Sequence, residues 1–505
     1  MQLHELVREL PVRRLPPENP EVTGISHDSR RVGGGDLFVA IVGERFDGRA
    51  FSTQAVERGA VAVLGPGAPP PALEAPWVEV ADPRPLLGPM AARLYGQPDE
   101  GLLMIGVTGT NGKSTVTVVL ERLLAASGRP TGALGTLGYH LAGQVFDPRP
   151  SAAARHMTTP EASDFFHTLA EMRQGGAEAV VMEVSSHALA LGRVAGARFD
   201  VAVLTNVSRD HLDFHRDLED YFETKCRLFD QLKAGGRAVV HVGDDFGRRL
   251  AARLPAALTF GAAERARPRA DVSVISEDLG LDGIQARIAT PRGEIEISSA
   301  LLGRFNLDNL VTVVAVAEAV EIDHAVTAET IAKIGPLPGR LQPVDAGQSF
   351  PALVDFAHTP AALEALLTSF REIADRKIAL VFGCGGDRDP GKRTEMGEIA
   401  GRLAELPVLT SDNPRSEEPL AIIAAVEKGL MASGNDAYHK VPDRGEAIRR
   451  AVAMAAVAPN EWAVLVAGKG HEEIQVVDDH ILPFSDRDEI AAAVDELVEP
   501  EARHG

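Results

Sequence analysis

Gly106-Val-Thr-Gly-Thr-Asn-Gly-Lys-Ser-Thr115 is the stretch that decides the fold. An apolar run, Leu102 to Ile105, precedes it. A helical pattern from Ser114 to Ser127 follows and stops at Gly128. Strand, glycine loop and helix in this order make a phosphate cradle. Glycines let backbone N–H groups turn toward an anion, and the helix N-terminus adds positive potential. Lys113 is placed to reach the β- and γ-phosphates of a nucleotide, and the Ser114 hydroxyl to ligate Mg²⁺. The common spacing wants glycine at 107, where Val107 stands; the glycines are Gly106, Gly109 and Gly112.

Outward from this loop, the 505 residues suffice for about three domains. A hydrophobic share of 45% supports sizeable cores. The net charge of −21 argues against nucleic acid and against an anionic membrane surface as partners. Any polyanionic ligand must meet local basic pockets. Cys226 and Cys384 form no metal spacing and no disulfide framework, which fits a reducing cytoplasm. The charged start MQLHELVREL is no signal peptide, and no apolar run reaches spanning length.

The expected fold class is α/β in three domains: a smaller α/β domain at 1–98, a central P-loop ATPase-type parallel sheet at 99–335, and a Rossmann-like domain at 336–505. Strands are expected at 36–42 and 60–64 in the first. Apolar runs at 179–182 and 201–204 alternate with helical patterns in the second, as parallel architecture requires. Residues 257–300 read as an inserted antiparallel patch. Gly335-Pro-Leu-Pro-Gly339 is a break. In the third domain, runs at 352–356, 378–382, 408–410 and 462–466 each end in a polar loop, and such loops should converge on one site.

Three features cluster chemistry in the central unit. Glu183 closes an apolar run, where a carboxylate beside a phosphate loop can hold Mg²⁺. Thr205-Asn-Val-Ser-Arg-Asp-His-Leu-Asp-Phe-His215 is dense in ligand-type groups. In 220–229, Tyr221, Lys225 and Phe229 share a helix face, which turns a lysine inward among apolar neighbours. By residue type alone, Lys225 reads as a snorkelling side chain.

Taken together, Gly109-Thr-Asn-Gly-Lys-Ser-Thr115, Glu183-Val-Ser-Ser-His187, Asn206-Val-Ser-Arg-Asp-His211, Tyr221 with Lys225, Asp355-Phe-Ala-His-Thr-Pro360 and Gly383-Cys-Gly-Gly-Asp-Arg388 resemble the Mur ligases of bacterial cell-wall synthesis. The resemblance runs in order over nearly the whole chain. It implies ATP-dependent amide formation through an acyl phosphate, with two Mg²⁺ ions. It implies a catalytic set of Lys113, Glu183, His211 and Lys225, the last carboxylated by CO₂ to a carbamate. Metal ligands would be Ser114, Glu183, His211 and that carbamate. ATP would be held by Gly109, Thr110, Asn111, Gly112, Lys113, Ser114 and Thr115, by Asn306 and Asn309 near adenine, and by Arg340, Asp355 and His358 from the third domain. A lysine stripped of water has a lowered pKa, which supplies the neutral amine that CO₂ requires.

The same resemblance assigns Ser29, Glu44, Arg45, Phe46, Thr158, Thr159, Ser185 and Arg193 to UDP-N-acetylmuramoyl-L-alanyl-D-glutamate. Met157 and Leu191 stand where the family pattern has Asn and Gln. It assigns Arg388, Asp412, Asn413, Pro414, Arg415, Gly468 and Glu472 to meso-diaminopimelate. That amino acid differs from L-lysine by a second carboxylate, and the Arg415 guanidinium gives it a fork of donors. The alternatives are the L-lysine-adding branch, which lacks this arginine, and folylpolyglutamate synthetases, which lack the first domain and the Asp412–Arg415 loop. A nucleotide switch or a non-catalytic muropeptide binder would need neither an amino-acid acceptor nor an intact lysine pair. The family analogy implies a monomer.

Overall fold

The computed structural model describes residues 1–43, 46–71, 73–146, 157–262, 270–478 and 480–502. Among the described residues three large sheets follow one another along the chain, and a two-stranded hairpin, Ile474–Val477 with His480–Pro483, comes after the third. The first has the order Val12–Arg14, Trp77–Val80, Ala62–Pro66, Asp36–Val39, Gly24–Ser26, parallel except at Val12–Arg14.

The second sheet is built around the strand Leu103–Thr108, flanked by Phe199–Leu204 and Ala179–Glu183, both parallel to it. A strand paired on both sides and covered on both faces has no solvent face, so its sequence is a continuous apolar run. Val107 is such a residue, with no exposed surface. This accounts for the departure from the common loop: the strand runs one residue further and the turn begins at Gly109, whose φ is +147°. Gly106 is likewise a strand position, where a Cβ would lie 2.9 Å from the Phe199 ring. The expected antiparallel patch is a continuation of this sheet rather than an insertion. Leu258–Gly261 and Val272–Gly280 add in parallel, and hairpins through Gly283–Thr290 and Gly293–Ser299 extend the edge.

The helix Lys113–Ala126 buries Val116, Val119, Leu120, Leu123 and Leu124, the spacing of one helical face. Truncating Leu120 to Ala would cost about 2–5 kcal/mol. It ends in a Schellman turn: Gly128 at φ +88° donates to the Ala125 carbonyl, and Arg129 donates to Leu124.

The third sheet runs Gln342–Pro343, Ala352–Asp355, Trp462–Ala467, Lys377–Phe382, Leu406–Leu409, His439–Lys440, parallel except at its first strand. Its four central strands fall where the apolar runs placed them. Both cysteines are free. Among the described residues no helix is long and apolar enough to cross a membrane.

Candidate active site

The phosphate loop is clasped by the loop after the strand Phe199–Leu204. Thr110 N–H donates to the Asn206 carbonyl at 2.9 Å, and Asn111 N–H to Asn206 Oδ1 at 3.0 Å. Thr205 Oγ1 donates to the Asn111 carbonyl at 2.6 Å, and Ser208 N–H to Thr110 Oγ1 at 3.0 Å. A Cβ at Gly109 would sit 1.9 Å from Thr205 Oγ1, and one at Gly112 would sit 2.2 Å from Asn309 Oδ1. The glycines are therefore needed for close approach as well as for φ. Thr115 is buried within the helix's first turn.

Two lysines converge on one carbonyl of this loop. Lys113 Nζ donates to Gly109 O at 3.0 Å and to Thr110 O at 2.8 Å; Lys225 Nζ donates to Gly109 O at 2.8 Å. Burial pushes the Lys113 pKa down, against the fields of Glu183 and Asp210. Burial, and then the neighbouring Lys113, pushes Lys225 well below the usual lysine range. Lys225 is 1% exposed and lies 4.2 Å from the centroid of the Tyr221 ring. It is no snorkelling side chain. Its helix, Leu218–Cys226, begins at Asp217, which caps Asp220 N–H at 2.8 Å. Phe229 is buried too, but on the following 3-10 turn rather than on this helix.

Glu183 is 1% exposed. Its Oε1 accepts the Thr136 N–H at 2.8 Å and its Oε2 the Thr136 hydroxyl at 3.2 Å. His211 adopts φ +54°, a left-handed conformation that is strained for a residue with a Cβ. Burial depresses its pKa, so the neutral imidazole that can ligate a metal is favoured. Among the described residues no three or more His, Cys, Asp or Glu side chains are grouped to hold a metal. The expected donor set has only two such groups. It needs Ser114, a carboxylated Lys225 and the ligand's own phosphates for completion. The buried amine of Lys225, with a neutral carbonyl as its hydrogen-bond partner, fits that requirement.

The third domain reaches this loop through Arg340. Its Nη2 lies 3.2 Å from Ser114 Oγ, and its guanidinium lies 5.0 Å from the Phe356 ring centroid. Asp355 accepts the Leu341 and Ala357 N–H groups at 2.6 and 2.8 Å and shapes the turn that carries Arg340. His358 Nδ1 lies 2.8 Å from the Phe356 carbonyl, and burial lowers its pKa. Asn306 has no exposed surface: Nδ2 donates to Leu302 O and Oδ1 accepts from Asn309 Nδ2. These two hydrogen bonds fix the Asn306 amide and orient Asn309.

Across from Arg209 and Asp213, the residues Asp387, Arg388 and Asp389 line a cleft of about 410 Å³ between the second and third sheets. Arg209 pairs with Glu395 at 3.4 Å over this gap. Arg415, at φ +52°, is anchored by its backbone to the hairpin beyond: its N–H donates to Val476 O, and its carbonyl accepts from Asp478 N–H. Its Nη1 donates to Gly386 O at 2.6 Å. Burial and the adjacent Arg388 both lower its pKa. The two side chains meet around Gly385, where an added Cβ would lie 3.0 Å from Arg415 Nη1 and 3.8 Å from Arg388 Cγ. Asn413 is buried; Oδ1 accepts from Lys469 Nζ at 3.0 Å and Val476 N–H at 2.9 Å, and Nδ2 donates to Glu472 at 3.0 Å. Pro414 is buried, with its carbonyl 1.9 Å from a Cβ placed at Gly386. Gly468, at φ +121°, would bring a Cβ within 2.6 Å of Asp412 Oδ2.

On the nucleotide-sugar side, Ser29 Oγ donates to Gln54 at 2.7 Å, and Phe46 is 69% exposed, edge-on to Phe51. Glu44 and Arg45 lie outside the described residues. Thr158 Oγ1 pairs with Thr136 Oγ1 at 3.1 Å, and Ser185 caps the helix Ser186–Ala190. Thr159 has no exposed surface, and its hydroxyl bridges the Glu183 carbonyl and the Ser185 N–H. These bonds tie Thr159 to the end of the strand Ala179–Glu183. Arg193 pairs with Glu161 at 2.8 Å and donates to Thr159 O. Sequence reasoning missed Lys469, although the Gly-Lys-Gly-His-Glu loop was in view, and Thr136 and Asn206, whose neighbours in space are distant in sequence.

Fold and site define a P-loop protein of the ligase type, with three large sheets, a phosphate loop on the second and an inward-facing lysine beside it. The chain belongs to the Mur ligase family. The Mur ligase middle domain matches 107–317, the Mur ligase glutamate ligase domain 339–470, and the Mur ligase catalytic domain 21–95. A relative from Geobacter metallireducens, named UDP-N-acetylmuramoyl-L-alanyl-D-glutamate--2,6-diaminopimelate ligase, is 42% identical over 94% of this chain and 95% of its own. One of the same name from Streptomyces coelicolor is 42% identical over 97% and 96%. A solved structure of an enzyme of that name superposes with a TM-score of 0.67 at 30% identity, covering 98% of this chain and 99% of its own. A folylpolyglutamate synthase from Mycobacterium tuberculosis shares the fold at 19% identity, TM-score 0.62, over 80% of this chain and 93% of its own.

Proposed function

We propose that this chain is the ATP-dependent, ADP-forming ligase that joins meso-diaminopimelate to UDP-N-acetylmuramoyl-L-alanyl-D-glutamate in peptidoglycan precursor synthesis. The observation that carries the reading is that Arg388 and Arg415 meet around Gly385, beside the loop tied by Asn413, Glu472 and Lys469. A second carboxylate on the incoming amino acid meets two guanidiniums there, which L-lysine would leave uncompensated. In this reading residues 1–98 hold the UDP-muramoyl substrate, 99–335 hold ATP, and 336–505 present the amino acid. The D-glutamate carboxylate attacks the γ-phosphate of ATP. The resulting acyl phosphate is attacked by the amine of diaminopimelate, and phosphate leaves.

The protein's part is positioning and charge neutralisation. Lys113 swings from the Gly109 and Thr110 carbonyls to the phosphates. Arg340 brings a second cation from the third domain, already beside Ser114. Ser114, Glu183, His211 and a carbamate on Lys225 would hold two Mg²⁺ ions, which neutralise phosphate charge as it shifts. Ser29, Phe46, Thr158, Ser185 and Arg193, with Glu44 and Arg45, are the proposed muramoyl-side contacts. A monomer acting in the cytoplasm completes the reading.

The test is ADP release by purified protein. It should require UDP-muramoyl-dipeptide and meso-diaminopimelate together, and L-lysine should not substitute. Release indifferent to the amino acid overturns the reading.

A further inference from the structure

Arg444 opens the helix Arg444–Val457, a position where the helix dipole disfavours a cation. It is nevertheless among the largest fully buried side chains. Asp486, which opens the helix Asp486–Ala502 and has no exposed surface, holds it by two bonds: Nε to Oδ1 at 2.7 Å and Nη2 to Oδ2 at 2.8 Å. The outward face of the guanidinium then spends its remaining donors on two other segments. Nη2 donates to Ala467 O at 3.0 Å, and Nη1 to Ser411 O at 3.3 Å.

Those two carbonyls belong to the residues immediately before Gly468 and Asp412. They are the roots of the two acceptor loops, 468–472 and 412–415. A Cβ on Gly468 would lie 3.8 Å from Arg444 Nη2, so the guanidinium sits directly beneath that loop. Above it, Lys469, Asn413 and Glu472 tie the loop tips together. Among the described residues, Arg444 is the side chain that bridges the Ser411 and Ala467 carbonyls.

We propose that Arg444, fixed by Asp486, is a positioning residue that sets the spacing of the two loops forming the acceptor amino-acid pocket. The inference rests on the assignment of that pocket given above. A planar fork that grips one carboxylate and reaches two carbonyls defines distances that a flexible ammonium does not. A shift of about 1 Å in groups that orient a substrate can cost about a hundredfold in rate.

The test uses the full-length Arg444→Lys and Asp486→Asn variants. Steady-state kinetics are run with diaminopimelate and ATP varied separately, alongside amide hydrogen exchange across 411–415 and 467–472. The expected result is a rise of about tenfold in the Michaelis constant for diaminopimelate. The constant for ATP should move less than about twofold, and exchange should rise in both loops. Lower thermal stability with an unchanged constant for diaminopimelate overturns the proposal. So does failure of both variants to fold, which would make the pair a stability element only. Failure of the pocket assignment itself would show separately, as wild-type ADP release that ignores diaminopimelate.

Discussion

Two fully buried lysines stand at the two ends of this active site, and they are built in opposite ways. Lys469, in the acceptor loop, has Glu472 at 3.1 Å and the Asn413 amide oxygen at 3.0 Å. Its charge is compensated, and it serves as a cross-link between loops. Lys225, in the central site, has the neutral Gly109 carbonyl, the Tyr221 ring face and a second cation, Lys113, nearby. Burial and Lys113 outweigh the field of Asp210 on an ammonium there, so the neutral amine is favoured. One residue type thus yields a tie between loops in one place and, in the proposed function, an amine open to CO₂ in the other, and the neighbours make the difference.

The largest effect expected from this contrast is on turnover. Lys225→Ala should lower kcat by at least about 10²–10³-fold, with partial recovery on adding short carboxylic acids that replace the carbamate oxygens. Normal turnover in this variant would remove the carbamate from the account. At the acceptor end, Arg415→Ala should raise the Michaelis constant for diaminopimelate by about 10²-fold while leaving ATP nearly unaffected. An unchanged constant would mean that the second carboxylate binds elsewhere.

Stability separates the two lysines most directly. In the ligand-free protein Lys469→Met should destabilise by about 1–3 kcal/mol, because the buried Asn413 amide oxygen and the partly exposed Glu472 each lose a donor. Lys225→Met should instead be neutral or stabilising by about 1–3 kcal/mol at pH 7. The pH dependence has a definite sign. The folded pKa of Lys225 lies below its unfolded value, so between the two the unfolded chain binds the extra proton. Wild-type stability should therefore rise with pH through that window and level off above the ordinary lysine pKa of about 10.4. The gap to Lys225→Met, measured by denaturant titration at several pH values, should narrow as pH rises. Equal losses in both lysine variants would erase the comparison. The smallest effect belongs to Tyr221→Phe. It removes the hydroxyl contact to Thr110 at 3.2 Å and should cost about 1 kcal/mol in the same titration.

Much of this site was legible along the chain because open α/β sheets put function at strand ends. Glu183, Asp355, Asp412 and Gly468 each sit at or just past the end of an apolar run, and a reader of such runs finds them. Arg444 was not legible. A cation at a helix start carries no signal of its own, and its partner Asp486 lies 42 residues away. Thr159 and Asn306 were legible as polar residues near the right motifs, but not as fully buried ones. Their hydroxyl and amide are consumed by backbone and by each neighbour's side chain, which only the packed structure shows.

By itself the sequence determined the order of the three large sheets, the phosphate loop, the carboxylate and histidine near it, and the arginine proposed to choose among amino acids. These follow from local rules: apolar run length, glycine placement and the chemistry of side chains at strand ends. The tertiary structure decided which polar residues face a ligand and which hold others in place. It also decided that Lys225 meets a neutral carbonyl and Lys469 a carboxylate. Burial and counter-charge arise from segments far apart in the chain, and they set what an amine in this protein can do.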